Sequence, residues 1–327
     1  MNIFLLINID TKIKLWYTLK KYETRRVLMK TIRINAKSVP TLEELKPKID
    51  AGFRNIEIQL IHKKVSENEY KETKEAIEKE YIDISVVHTP LMKNPSFELA
   101  LNHLLLFGID EIFDDTCKYA EYIAQIEKHR IKVVIHNDYS KEEWIETNLL
   151  KEKVGPIVKG IISKYPDIDL VIENSSSSGE KGFKTIKSMS DVAYTVKTLN
   201  EIIGNRAFPL IDTCHVMMTW EAWKRFTYED LTDWNLQFAE ATKFQPLGLI
   251  HLNNMHDNGL DEDHGIAFDF NNTDDKLKLK KIMDAYDKYA KCEITVEVRE
   301  DDYFAEPKNI ITTRDALEKM GYELDLG

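Results

Sequence analysis

The stretch HLNNMHDNGLDEDHG, residues 251–265, carries a high density of side chains that can bind metal ions. Three of the nine histidines of the chain lie in it, together with three aspartates and one glutamate. It directly follows an apolar run, 247–250, with the pattern of a buried strand. Imidazole and carboxylate groups are the ligands that Zn, Mn, Co, Fe or Mg use in proteins. The stretch predicts a metal site at a strand end, although a solvated loop could also be this acidic.

Residues of the same types lie within or at the ends of other β-branched runs along the chain. The carboxyl ends of parallel strands meet on one face of a barrel, so acids and imidazoles at successive strand ends would converge there. Burying several carboxylates together is costly unless a cation neutralises them, and the set therefore favours a metal-dependent enzyme. The residues are Glu57, His88, His136, Glu173, Asp212, His251 and Glu297.

Two loops offer further ligands. His215 follows Asp212 by three residues, so a tight turn could bring both side chains to one centre. Glu262 and His264 are two residues apart and could form a second small chelate. The other acidic residues between 256 and 263 suit a solvated loop.

Eight β-branched runs alternate with amphipathic helical patterns from residue 31 onward, without a low-complexity linker. Continuous apolar runs are typical of parallel strands that are buried on both faces. Eight such units predict a single (β/α)8 barrel of the α/β class, with an open doubly wound sheet as the alternative. The runs are 31–35, 55–60, 82–88, 132–136, 169–173, 208–212, 247–252 and 293–297.

The N-terminal residues and the composition of the chain bear on its domain organisation, its compartment and its partners. Residues 1–28 precede the regular pattern and are interpreted as an N-terminal extension, with the barrel catalytic domain at 29–327. No run reaches the ~20 apolar residues of a membrane span, and no secretory signal is expected. The three scattered cysteines indicate a reducing cytoplasm. The net charge of −11 argues against a surface that coats nucleic acid.

Seven short motifs occur in the order found in one known superfamily. The chain resembles the xylose isomerase-like TIM barrels, which include sugar isomerases, sugar epimerases and the endonuclease IV group. The resemblance covers residues 30–300 and implies a barrel with a metal centre. The motifs are HTPLMKN, VVIHND, VIENSS, PLIDTCH, LIHLNN, DEDHG and TVEV.

The isomerase and epimerase branch implies one divalent metal per chain, Mn, Zn, Co or Mg. The metal would stabilise an enediolate of a small sugar while two glutamates, Glu173 and Glu297, exchange the proton. The implied metal ligands are Glu173, Asp212, His251 and Glu297, and the implied substrate contacts are Glu57, His88, His136 and His215.

The endonuclease IV branch implies three zinc ions and abasic DNA as the substrate. Its additional metal ligands would be His88, His136, His215, Glu262 and His264, with Glu173 between two metals. Three departures weaken this alternative: HND replaces the usual HPG, Leu91 replaces an aromatic residue, and the first strand, TIRINAK, does not resemble the start of that group. The sequence therefore favours the sugar isomerase or epimerase, with nucleic acid as a partner only under the alternative. A homo-oligomer and a catalytically silent barrel that serves as a binding protein are left open.

Overall fold

The structure is a computed structural model that describes residues 31–93, 96–175, 188–227, 233–255 and 264–327. The expected N-terminal extension, 1–28, lies outside the described residues.

Eight parallel strands close into a barrel. Each is hydrogen-bonded to the next, and the first pairs with the last to close the ring. Every strand begins within two residues of one of the eight apolar runs, which confirms the (β/α)8 prediction. The barrel strands are β1 Thr31–Ser38, β2 Asn55–Gln59, β3 Asp83–His88, β6 Ile131–Asn137, β7 Ile168–Asn174, β8 Ala207–Asp212, β9 Leu249–Leu252 and β10 Glu293–Val296.

Ten α-helices occur within the described ranges and pack around the barrel. Most follow a strand and run back along its outer face, as the helical sequence patterns predict. They are α1 Leu42–Asp50, α2 Glu67–Glu80, α3 Ile109–Glu127, α4 Lys141–Thr147, α5 Gly155–Ile162, α6 Met189–Ile203, α7 Thr213–Thr227, α8 Trp234–Ala241, α9 Thr273–Tyr289 and α10 Lys308–Lys319. None of the helices in the described residues is long and apolar enough to cross a membrane.

The chain departs from the sequence pattern in three places. One helical pattern spans 141–165, but α4 ends at Asn148, whose φ of 52° is left-handed, and a π-helical turn, Leu150–Val154, leads into α5. Asparagine adopts this conformation more readily than most residues, which explains the break. An antiparallel hairpin, β4 Leu91–Lys93 and β5 Ser96–Glu98, and a 3₁₀ helix, Leu101–Leu105, follow β3. A short strand, β11 Glu323–Asp325, pairs with the start of β1.

Two separate apolar clusters form the core. The larger one fills the layer between the strands and the helices. The smaller one joins five consecutive strands and lies inside the barrel, because its members pack on each other and not on the helical layer. Those five residues, the interior cluster, are Val86, Val134, Val171, Leu210 and Leu249.

An ion-pair network closes the amino-terminal end of the barrel. Glu293, at the start of β10, lies 2.5 Å from Lys132 Nζ through Oε1 and 3.2 Å from Arg33 Nε through Oε2. Ser85 Oγ donates a hydrogen bond of 2.7 Å to the same Oε2. Burial alone would raise the pKa of Glu293, but Lys132 and these hydrogen bonds hold it below its ordinary value. Both oxygens of Glu293 are therefore paired, and this residue has a structural role at this end of the barrel.

Candidate metal centre

Beyond the interior cluster, the next inward-facing position on each of its five strands is occupied by a polar side chain. Side chains two residues apart on a strand point to the same face, so the residue two positions beyond each member of the interior cluster also faces inward. On the five strands these residues are His88, His136, Glu173, Asp212 and His251. All five are buried, and they lie at the carboxyl end of the barrel, where the sequence places the site.

Four of the predicted ligands meet at one point, which we call the main group: Glu173, Asp212, His251 and Glu297. Each offers one ligand atom, and these atoms lie within 4.8 Å of one another. His251 Nδ1 lies 2.5 Å from Glu297 Oε2 and 3.2 Å from Glu173 Oε1. Asp212 is held in place by His215, whose backbone N–H donates to Oδ1 at 2.6 Å, and by Asn253, whose side-chain amide donates to Oδ2 at 2.9 Å.

His88, His136 and Glu173 form a second group, which shares Glu173 with the main group. His88 Nε2 lies 3.2 Å and His136 Nε2 lies 3.4 Å from Glu173 Oε2. The other oxygen of Glu173, Oε1, faces His251 in the main group. Glu173 therefore presents one oxygen to each of two groups.

Asp212, His215 and His264 form a third group beside the main group. The rings of His215 and His264 are 5.0 Å apart between centroids. His264 reaches this position because Asn254 and Ile266 exchange two backbone hydrogen bonds, of 2.9 and 3.0 Å, which bring both ends of the loop together. Glu262, the other ligand predicted from this loop, lies outside the described residues.

Histidine hydrogen bonds decide which ring nitrogen can serve as a ligand. His88 Nδ1 lies 2.9 Å from the carbonyl oxygen of Thr89, which can only accept, so Nδ1 carries the proton and Nε2 is the ligand atom. His215 Nδ1 is likewise 2.7 Å from the carbonyl oxygen of Asn174. In neutral His88 the Nε2 lone pair thus faces the carboxylate of Glu173, and two acceptors in contact require a proton or a cation between them.

The electrostatics of the main group point the same way. Burial alone would raise the pKa values of Glu173 and Glu297. The imidazoles of His136 and His251 hold the pKa of Glu173 well below its ordinary value, and His251 and Lys37 do the same for Glu297. Burial would lower the pKa of His251, but Glu297, Glu57 and Glu173 hold it well above its ordinary value. The pocket therefore stabilises positive charge among ionised carboxylates, and its oxygen and nitrogen donors fit a divalent cation.

Lys37 is a charged residue of the site that the sequence analysis missed. It lies on β1, where its Nζ is 2.5 Å from Glu297 Oε1 and 3.4 Å from Glu57 Oε1. Glu57, which the sequence analysis did find, accepts from His251 Nε2 at 3.1 Å. The inward phase of β1, through Asn35 to Lys37, is the sequence signal that could have found it, but the predicted strand ended at residue 35.

Cys214 is the nearest thiol to this centre along the chain. It is fully buried, and burial raises its pKa well above the ordinary thiol value. Its thiol is therefore protonated, and Cys214 packs as a small buried apolar side chain.

Comparison with solved structures identifies the class of fold. SacUVDE matches with a TM-score of 0.52 and 14% identity over 88% of this chain and 99% of that one. A putative xylose isomerase from Rhodospirillum rubrum matches with a TM-score of 0.55 and 13% identity over 87% and 99%. D-allulose 3-epimerase from Methylomonas sp. matches with a TM-score of 0.52 and 13% identity over 89% and 97%.

The chain therefore has the (β/α)8 barrel fold of these solved structures. No protein-family model matches the chain, and no curated protein matches it.

Proposed function

We propose that the chain is a metal-dependent phosphodiesterase of the endonuclease IV type, with three divalent cations, zinc first among them, in its centre. One observation carries the proposal: three of the candidate ligand groups, the main, second and third groups, are linked by two shared carboxylates. Glu173 belongs to the main and second groups, and Asp212 belongs to the main and third groups. Carboxylates shared between neighbouring ligand groups are what a multinuclear site requires, because each can contribute one oxygen to each cation.

The second group would hold one cation through His88, His136 and Glu173, and the third another through Asp212, His215 and His264. Cations held there would neutralise charge that develops on a phosphoryl group and lower the pKa of an attacking water. The protein itself contributes orientation: backbone carbonyls fix the tautomers of His88 and His215, and Asn253 fixes Asp212. Preorganised ligands of this kind avoid the cost of rearrangement during the reaction.

A sugar isomerase or epimerase with one metal is the second candidate. It is favoured by the completeness of the main group, in which Glu173 and Glu297 would act as acid and base. A general base needs an oxygen within reach of the proton that it abstracts. Both oxygens of Glu173 already face imidazoles, Oε1 towards His251 and Oε2 towards His88 and His136. This arrangement suits a ligand between two cations better than a base, and we therefore rank the phosphodiesterase first.

The test combines metal content with two substrate panels. The chain is purified without chelator, its metals are counted by elemental analysis, and it is incubated with a duplex carrying one abasic-site analogue and with a panel of aldoses and ketoses. We expect about one metal per ligand group and incision at the abasic position. His264→Asn should lower both, whereas the control His62→Asn, in an exposed loop, should lower neither. One exchangeable metal with sugar interconversion, unaffected by His264→Asn, would establish the isomerase instead.

A further inference from the structure

Three side chains lie beside the main group: Lys37 contacts Glu297, Glu57 contacts His251, and Thr295 contacts Glu57. Strand pairing places Lys37 opposite Glu57 in the β1–β2 register, and Thr295, on β10, lies two residues before Glu297. Glu57 and Thr295 are fully buried, and the Lys37 side chain is 12% exposed. None of the three is among the ligands of the main group.

Hydrogen-bond donors contact both carboxylate oxygens of Glu57. Its Oε2 accepts from Thr295 Oγ1 at 2.7 Å and from His251 Nε2 at 3.1 Å, and its Oε1 lies 3.4 Å from Lys37 Nζ. The ammonium group of Lys37 can only donate and the Thr295 hydroxyl donates to Oε2, so both oxygens of Glu57 act as acceptors. The contact between Oε2 and His251 therefore needs a proton on Nε2.

His251 consequently differs from His88 and His215 in its tautomer. Those two rings face backbone carbonyls with Nδ1. His251 instead donates Nε2–H to a carboxylate, which leaves Nδ1 as the atom directed at Glu173 and Glu297. A carboxylate behind a ligating imidazole also raises the basicity of the ligand atom.

Lys37 acts in the same way on Glu297. It binds Oε1 at 2.5 Å, so Oε2 is the oxygen that remains directed at His251 Nδ1 and the centre of the main group. Its ammonium group lies between carboxylate oxygens of Glu297 and Glu57, at 2.5 and 3.4 Å. Lys37 thereby fixes which oxygen of Glu297 can serve as the ligand.

We propose that Lys37, Glu57 and Thr295 are positioning residues of the metal centre, which fix the Nδ1-ligating tautomer of His251 and the single ligating oxygen of Glu297. The inference rests on the part of the proposed function that places a cation in the main group, and it holds for either reaction. Outer partners of this kind change metal affinity by about 10- to 100-fold when they are replaced.

The test measures cobalt affinity and spectrum, with variants that keep side-chain size. The chelator-stripped chain and its Glu57→Gln, Lys37→Met, Lys37→Arg and Thr295→Val variants are titrated with Co²⁺ by calorimetry and visible absorption. Glu57→Gln and Lys37→Met should weaken the main-group affinity by about 10- to 100-fold and alter the absorption bands, and Thr295→Val should weaken it less. Lys37→Arg should restore most of the affinity, since it restores the charge, and Lys63→Met, in an exposed loop, is the matched control.

Two further measurements keep the outcomes separable. Nitrogen-15 NMR of the zinc-loaded protein should assign the ring proton of His251 to Nε2, and Glu57→Gln should shift or broaden that signal. Thermal melts of each variant identify any that fails to fold, and Glu57→Gln carries the test if Lys37→Met does not fold. Unchanged affinity and spectra in Glu57→Gln and Lys37→Met would overturn the positioning role, whereas a wild-type chain that binds no cation would overturn the proposed function itself.

Discussion

Replacing Glu173 by glutamine is expected to remove cations from two ligand groups at once. Glutamine keeps the size of the side chain but has neither the charge nor the second equivalent oxygen that Glu173 presents to the main and second groups. A four-ligand zinc site binds with about 10–16 kcal/mol, which is about 3–4 kcal/mol per ligand. Since about 1.4 kcal/mol corresponds to a factor of ten, the loss is about 100- to 1000-fold in Kd for the main group.

The assay is elemental analysis after dialysis against a weak chelator, with calorimetric zinc titration of the stripped protein. Glu173→Gln should keep only the cation of the third group, and His264→Asn should lose only that one. Glu121→Gln is the matched control, because Glu121 is a buried glutamate on α3 whose Oε2 accepts from the Asp167 backbone. A Glu173→Gln variant that folds and retains every metal of the wild type would refute the shared-carboxylate reasoning.

Two predictions concern the scaffold. Glu293→Gln should destabilise the barrel at neutral pH by about 3 kcal/mol, because it leaves Lys132 without its buried partner. The folded-state pKa of Glu293 is below the ordinary value of 4.5. The difference in free energy of unfolding between wild type and variant should therefore be largest above pH 4.5 and should decrease as the pH falls further. Gly248→Ala should cost about 1–3 kcal/mol, since a Cβ there would lie 2.8 Å from Phe208 Cβ. Gly160→Ala, with open space around it on an exposed helix face, should leave the melting temperature unchanged or raise it.

The barrel could be predicted from the sequence because its strands are buried on both faces. A strand such as 168–174 contains a continuous apolar run at 170–172, and the crossover helices between such runs force the strands to be parallel. Strand ends then locate the site, so Glu173 and Asp212 could be assigned to one centre before any coordinates were known. The local breaks could not be predicted in this way. The turn at Asn148 and the β4–β5 hairpin depend on single-residue conformations and tertiary contacts that leave no periodic signal.

The ligand residues could be predicted from the sequence more readily than the number of groups that they form. Each of His88, His136 and His264 could line a substrate pocket as easily as bind a metal, because a histidine at a strand end fits both roles. Coordinates add the direction of each ring nitrogen and the separate environments of the two Glu173 oxygens. These details favour the phosphodiesterase that the motif departures had placed second.

Lys37 shows that the phase of a strand carries information that residue type does not. A lysine is an ordinary surface residue, and nothing in TIRINAKS marks it as part of a site. Its position is nevertheless fixed by counting: Arg33 belongs to the network at the amino-terminal end of the barrel, Asn35 lies one layer above it, and Lys37 lies one layer above that. The same spacing of two residues relates Leu249 to His251 and Val171 to Glu173. Every inward-facing residue at the carboxyl end of a strand is therefore a candidate for the centre, whatever its type. A basic side chain at such a position is as informative as an acidic one.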